Sequence, residues 1–268
     1  DVEKIVKRIS KKTKAILFIH NYGSICSYEK IKKIAQKKNI FIIEDTSQVI
    51  LSRQNNNFVG NGKIFNKEKY LSYSSFHASK TLITGEGGMI LTNSKKISSK
   101  LKTLRNHGQK PNKPYYYNMT GGNFRLSNIL ASIGYSQLLR IKKIIKKKIQ
   151  MNSIYEKNLS KNKNFSLMRD PNNFLPVRWG FPILFNKEKD RNNIMKILNE
   201  KSTVCRPGFY SLNKLKHLNI DKNKLASKKD FKNAEIATRN ILVLPMNNRL
   251  NNLELNFICS KINNYFKN

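Results

Sequence analysis

Carboxylates are scarce in this sequence: 16 Asp and Glu stand against 52 Lys and Arg across 268 residues, a formal net charge of +36. Cysteine is nearly absent. Cys26, Cys205 and Cys259 are odd in number, far apart and without metal-ligand spacing, which argues against a disulfide framework and a zinc site and leaves reduced structural thiols. No apolar run approaches the roughly 18 residues that a membrane-spanning helix needs. The opening Asp1-Val-Glu-Lys-Ile-Val-Lys7 lacks a signal-peptide pattern, so the expectation is a cytoplasmic protein with no membrane partner. Disorder is not expected either, since 39% of the residues are hydrophobic and recur with regular periodicity.

The excess of cations raises the question of a polyanionic partner, because a dense basic field attracts nucleic acid or anionic lipid. The lysines, however, are spread along the whole chain with asparagine and isoleucine. Lys142, Lys143 and Lys146–Lys148 alternate with Ile141, Ile144, Ile145 and Ile149 at helical spacing, as on the wet face of an amphipathic helix. No specific nucleic-acid partner is expected, and a contribution of the charge to capturing an anionic small molecule stays open.

Read in order, Val2–Ile9 predicts a short amphipathic helix and Lys14–His20 a buried parallel strand; Asn21–Gly23 turns the chain, Tyr28–Lys38 is helical, and Ile40–Ile43 is a second buried strand ending in Glu44 and Asp45. Tyr70–Ser74 and Met89–Thr92 predict further strands, with a helix around Ile97–Asn106. A long helix runs from near Ser127 towards Leu159. Beyond it, Val177–Leu184 reads as a strand, Lys189–Asn199 as a helix, and Leu253–Phe266 as a closing helix. This alternation predicts an α/β architecture with ligands at the carboxyl ends of the strands. A chain of this length is expected to form two lobes, since single cores rarely grow much beyond roughly 250 residues.

Lys80 is the residue around which a site can be read. Ser74, Ser75, His77 and Ser79 surround it with small polar groups, and Gly85, Gly87 and Gly88 allow close backbone approach. A lysine that loses its proton in a desolvated setting attacks carbonyls. In so basic a chain, a solvated surface lysine is the competing reading. Asp45, at a strand end, serves equally as a cap or turn residue. His20, His77 and His107 are read as capping or core histidines as readily as acid–base groups.

The segment Ser75-Phe-His-Ala-Ser-Lys80, followed by Thr84-Gly-Glu-Gly-Gly88, resembles the cofactor-lysine site of the DegT/DnrJ/EryC1/StrS family of pyridoxal-phosphate-dependent sugar aminotransferases, perosamine-synthase-like members included. The likeness continues in register through Lys11-Lys-Thr-Lys-Ala-Ile16, His20-Asn-Tyr-Gly23, Glu44-Asp-Thr-Ser-Gln48, Gly121-Gly-Asn-Phe-Arg-Leu126 and Val204-Cys-Arg-Pro-Gly-Phe-Tyr210. It lapses at Phe65–Lys69, where the family has a Gly-Asp pair, and at Ser211 and Asn213, which replace the family's Pro and His.

The resemblance implies an aspartate-aminotransferase-like (type I) fold, with a partial large domain, 1–140, built on a mixed, mostly parallel sheet and a small C-terminal α/β domain, 141–268. It implies pyridoxal 5'-phosphate as cofactor, held covalently by Lys80. Asp45 would pair with the ring nitrogen, Gln48 would pack on or hydrogen-bond the ring, and Ser75 would bond the phosphate. Asn123 would reach the phosphate of a neighbouring subunit, implying a homodimer with composite sites. By itself, Ser75 is an ordinary strand-end hydroxyl and Asn123 a turn residue. The implied reaction moves an amino group from a donor, glutamate, to a nucleotide-linked keto-sugar, without metal. A sister branch that carries histidine in place of the lysine performs dehydration, and Lys80 argues against it. The alternatives are a dehydratase or epimerase using the same cofactor, or an inactive, truncated homologue. The family's phosphate cup belongs before Asp1, so an N-terminally truncated chain, weak in cofactor binding, is the expectation.

Overall fold

In the computed structural model, which describes residues 1–218 and 231–267, the chain divides into two compact units: Asp1–Ile145 with Pro171–Trp179, and Lys146–Asp170 with Gly180–Asn268. The first begins with a 3₁₀ turn, Val2–Lys4, leading into α1 (Ile5–Arg8). It continues through β1 (Ala15–Ile19), α2 (Tyr28–Lys38), β2 (Phe41–Asp45), β3 (Arg53–Gln54), β4 (Asn57–Phe58), β5 (Tyr70–Ser75), β6 (Gly88–Leu91), α3 (Lys95–Arg105) and α4 (Asn128–Leu138). α5 (Ile141–Leu159) leads into the second unit, which holds β7 (Phe165–Leu167), β9 (Phe181–Phe185), α6 (Glu188–Glu200), β10 (Arg206–Pro207), α7 (Lys232–Asn240), β11 (Ile241–Leu244) and α8 (Asn252–Tyr265). β8 (Phe174–Leu175) lies in the segment that returns to the first unit and pairs with β3.

The site-bearing sheet has the order β1-β2-β5-β6, with β1–β2 and β2–β5 parallel and β5–β6 antiparallel. The mixed α/β sheet expected from the sequence is thus present. Parallel pairing places the carboxyl ends of β1, β2 and β5 on one edge, where Ile19 pairs with Asp45 and Asp45 with Tyr73. α2 covers one face through Ile31 and Ala35, four residues apart and both buried against Ile16, Phe18, Ile40, Ile42 and Tyr70. Its end is set by Asn39 in the left-handed region (φ 54°), whose N–H closes on the Ala35 carbonyl. α3 is started by Ser94, whose Oγ accepts from the Ile97 N–H at 3.3 Å.

Three sequence expectations change. β1 is apolar on both faces, yet only Ile16 and Phe18 are buried, while Leu17 and Ile19 stand 53% and 40% exposed. The single helix expected from Ser127 to Leu159 is two, because Arg140 N–H bonds the carbonyl three residues back, Gln137, and ends the α-helical ladder. The strand expected from Val177 begins only at Phe181. Val177 and Trp179 instead donate their N–H groups to Ser52 Oγ at 2.8 Å and to the Gln48 carbonyl at 3.2 Å, which binds them into the first unit.

The second unit wraps one sheet, β10-β11-β9-β7, antiparallel throughout. Met151, Tyr155 and Leu159 line one stripe of α5 at four-residue spacing, and meet Ile194 and Leu198 of α6 and Leu255, Ile258 and Ile262 of α8 in a single core. Within that stripe sits a buried cation: Lys148 donates to the Met246 carbonyl, and burial pushes its pKa down to about 8 from 10.5. Between those two values the unfolded chain holds the proton and the folded chain has released it, so the site's contribution to stability rises with pH across that window and is lowest below it. Comparing urea unfolding of Lys148→Met with wild type should show the balance moving towards wild type by about 2–3 kcal/mol between pH 7 and 10.5. A pH-independent gap would mean that Lys148 keeps its proton on folding throughout.

Candidate active site

The carboxyl edge of the first sheet gathers four of the five residues singled out in the sequence. Asp45 is the last residue of β2; its Oδ1 accepts the Ser47 N–H at 2.8 Å, which fixes the carboxylate at the strand end. Ser47 Oγ in turn accepts the Ser75 N–H at 3.0 Å, so one serine ties the end of β2 to the end of β5. Thr46 reinforces the same join, reaching the Tyr73 carbonyl at 2.9 Å and the Ser74 hydroxyl at 2.5 Å. Tyr73 flanks Asp45: burial first, and the neighbouring carboxylate second, push its hydroxyl up to about 12.

Lys80 lies in the loop between β5 and β6, which is closed by backbone bonds from Phe76 N to Gly87 O (2.8 Å), Ala78 N to Gly85 O (2.7 Å) and Thr84 N to Phe76 O (2.8 Å). Gly88 is required where the two strands meet, since a Cβ there would stand 2.8 Å from the Ser74 carbonyl oxygen. His77 braces the loop internally. Its Nδ1 accepts the Ser79 N–H at 3.1 Å, and its carbonyl accepts the Lys80 N–H at 2.9 Å, so it supports the lysine's backbone.

His20 and Glu44, with Tyr70, form a buried base beneath this edge. His20 Nδ1 accepts the Cys26 N–H at 3.1 Å, which puts its proton on Nε2, 2.9 Å from Glu44 Oε1; Tyr70 OH donates to the other Glu44 oxygen. Glu44 is fully buried and structural, as its neighbour Asp45 is not.

Gln48 is buried, and its Oε1 accepts the Tyr22 N–H at 2.7 Å, leaving Nε2 as the end with hydrogen-bonding capacity to spare. Ser75 Oγ accepts the His77 N–H at 3.3 Å and keeps its own proton to donate. Asn123 does not join this group. It is exposed, pairs across an isolated bridge with Asn106, and accepts from Arg125 Nε at 3.1 Å. Arg125 also donates to Asn106 Oδ1 at 3.1 Å. It borders a cavity of about 370 Å³ that includes Lys102, Arg105, Lys110 and Lys113 and no carboxylate.

Two residues were not singled out in the sequence. Trp179 donates its indole N–H to the Ser79 carbonyl at 2.7 Å and presents its ring to Lys80, whose Nζ is 5.2 Å from the ring centroid. It is the chain's one tryptophan, which is the signal by which it could have been noticed. Thr81, next to the lysine, has a buried hydroxyl with no hydrogen-bond partner.

These residues fit pyridoxal phosphate: an amine for its aldehyde, a half-buried carboxylate held at the strand end by Ser47 and Tyr73 for its ring nitrogen, and the Ser75 hydroxyl for its phosphate. Among the described residues no three His, Cys, Asp or Glu side chains cluster as a metal site, and no helix is long and apolar enough to cross a membrane.

The model of the DegT/DnrJ/EryC1/StrS aminotransferase family matches residues 1–263. GDP-perosamine synthase of Escherichia coli O157:H7 is 30% identical over 266 residues, covering 99% of this chain and 69% of that protein. Among solved structures, Helicobacter pylori PseC, an aminotransferase involved in the biosynthesis of pseudoaminic acid, superposes with a TM-score of 0.86 at 24% identity, covering 100% of this chain and 70% of that one. Spr1654 of Streptococcus pneumoniae, in its PLP-form, reaches a TM-score of 0.88 at 19% identity, covering 100% and 72%. With the family model matched from residue 1 to 263, the chain belongs to the DegT/DnrJ/EryC1/StrS aminotransferase family.

Proposed function

We propose that this protein is a pyridoxal-phosphate-dependent aminotransferase that moves an amino group, from glutamate, to a keto-sugar carried on a nucleotide, in the cytoplasmic synthesis of amino sugars for surface polysaccharide. The observation that carries this reading is the pairing of Asp45 and Ser75 at adjoining strand ends, joined through Ser47, with Lys80 in the closed loop that follows β5. Bound cofactor supplies an electron sink for the carbanion formed at the amino-bearing carbon. Lys80 Nζ would serve first as nucleophile and then as the group that moves a proton to and from the reacting carbon. Asp45 would hold a proton on the ring nitrogen, Gln48 would hydrogen-bond the ring through Nε2, and the Ser75 hydroxyl would donate to the phosphate.

Asn123 and Arg125 serve a second copy of the chain in a homodimer. Exposure of Asn123 and its bond from Arg125 support that assignment, and the cluster of Lys102, Arg105, Lys110, Lys113 and Arg125 supports an anionic ligand such as a nucleotide diphosphate.

The test is to add pyridoxal phosphate to the purified protein, follow the visible absorbance of the lysine-bound cofactor, and then supply glutamate and nucleotide-linked keto-sugars. Formation of 2-oxoglutarate in step with an amino-sugar nucleotide is expected. Product without glutamate consumption would point to dehydration or epimerisation, no absorbance band to a remnant, and tight, salt-steep binding to DNA or RNA to a nucleic-acid partner.

A further inference from the structure

The segment 171–179 leaves the second unit's stretch of sequence to pack into the first, and its last residue ends against the lysine. Its path is fixed at several points. Val177 N–H is held by Ser52 Oγ, and Gly23, in the left-handed region (φ 92°), makes room for Arg178, whose Cα would lie 2.8 Å from a Cβ at that position. Trp179 N–H is held by the Gln48 carbonyl, three residues past Asp45. The Trp179 backbone is therefore tied to the loop after Asp45, while its indole N–H grips the carbonyl immediately before Lys80.

We propose that Trp179 is a positioning residue for Lys80: its indole N–H fixes the backbone from which the lysine side chain springs, and its ring forms the wall that directs the amine. The proposal rests on the reading of Lys80 as the covalent anchor of the cofactor. Two features go beyond ordinary packing. The 2.7 Å bond is made to Ser79, the residue preceding the nucleophile, so a shift in the indole is transmitted over one peptide unit to the Lys80 Cα. The Nζ-to-centroid distance of 5.2 Å lies inside the roughly 6 Å over which a ring face attracts an ammonium, and both side chains are only half-buried, so this contact borders the space a ligand would enter. In the anchoring step, Lys80 Nζ forms a bond to the aldehyde carbon and the carbonyl oxygen departs as water; the reaction depends on where Nζ stands, which is what Trp179 controls.

The experiment compares wild type with Trp179→Phe, which keeps a ring but loses the N–H donor, and Trp179→Leu, which loses both. Two quantities are read: the rate at which the visible absorbance of lysine-bound cofactor appears after mixing with pyridoxal phosphate, and the affinity for 4'-deoxypyridoxine phosphate, an analogue without the aldehyde that cannot react with Lys80. The expected result is a loss of about tenfold in the rate for Trp179→Phe and more for Trp179→Leu, with analogue affinity within about twofold of wild type. Unchanged rates, or equal losses in rate and analogue affinity, would reduce Trp179 to a packing residue and overturn the proposal. The ligand-free protein gives a separate check: because Trp179 is the only tryptophan, Lys80→Met should alter its emission, and an unaltered emission would deny the contact. If wild type forms no adduct at all while Lys80→Met does alter the emission, it is the cofactor reading that fails, and the positioning role falls with it.

Discussion

Replacing Lys80 with alanine should abolish the visible absorbance of bound cofactor and lower transamination by on the order of 10³-fold or more, because in the proposed reaction one amine serves as both anchor and proton carrier. The fold should survive. Lys80 is half-buried, its backbone N–H bond to the His77 carbonyl does not involve the side chain, and the loop remains closed by Phe76, Ala78 and Thr84. The ring contact with Trp179 is worth about 0.5–1 kcal/mol at such a site. Absorbance, a coupled 2-oxoglutarate assay and thermal unfolding, run on the same preparation, check all three points. A variant that turned over substrate with the band intact would remove Lys80 from the chemistry.

Asp45→Asn should separate binding from turnover. The amide oxygen can still accept the Ser47 N–H that holds the side chain at the end of β2, so the site's shape and its tie to Ser75 persist. What is lost is the negative charge that, in the proposed reaction, keeps a proton on the ring nitrogen. A neutral amide cannot compensate for that charge as electrons move into the ring, and removing one such preorganised interaction costs about 10²–10³ in rate. Cofactor affinity is expected to change by less than about tenfold. Near-normal turnover in Asp45→Asn would return Asp45 to the role of a strand-end cap.

The parts of this site that could be read from sequence are those made within a few residues. β2 ends in an acidic pair because an apolar run stops there, and the Lys80 loop announces itself by small polar residues on one side and glycines on the other. Ser47 was inside a recognised segment, but its bridging of Asp45 to Ser75 needs the parallel register of β2 on β5, which no local pattern encodes. Trp179 was hidden differently. The apolar residues from Val177 onward look like one strand, and only the bonds to Ser52 and Gln48 show that the first part belongs elsewhere. The break at Arg140 was silent for a similar reason, since Leu138, Ile141 and Ile145 keep helical spacing across it. β1 looked buried on both faces because composition reports apolarity, not neighbours.

The antiparallel pairing of β5 with β6 also bears on the order in which the lysine's surroundings assemble. Phe76 and Gly87, or Ser74 and Met89, meet across a short stretch of chain, so little loop-closure entropy opposes them, and the Lys80 loop can close early and alone. The bond from Trp179 to Ser79 joins residues 100 apart and must wait until segment 171–179 has found Ser52 and Gln48. The loop is therefore built first and tightened last. Amide exchange should register this as two tiers, with the Phe76 and Ala78 N–H groups protected before the Val177 and Trp179 N–H groups during refolding.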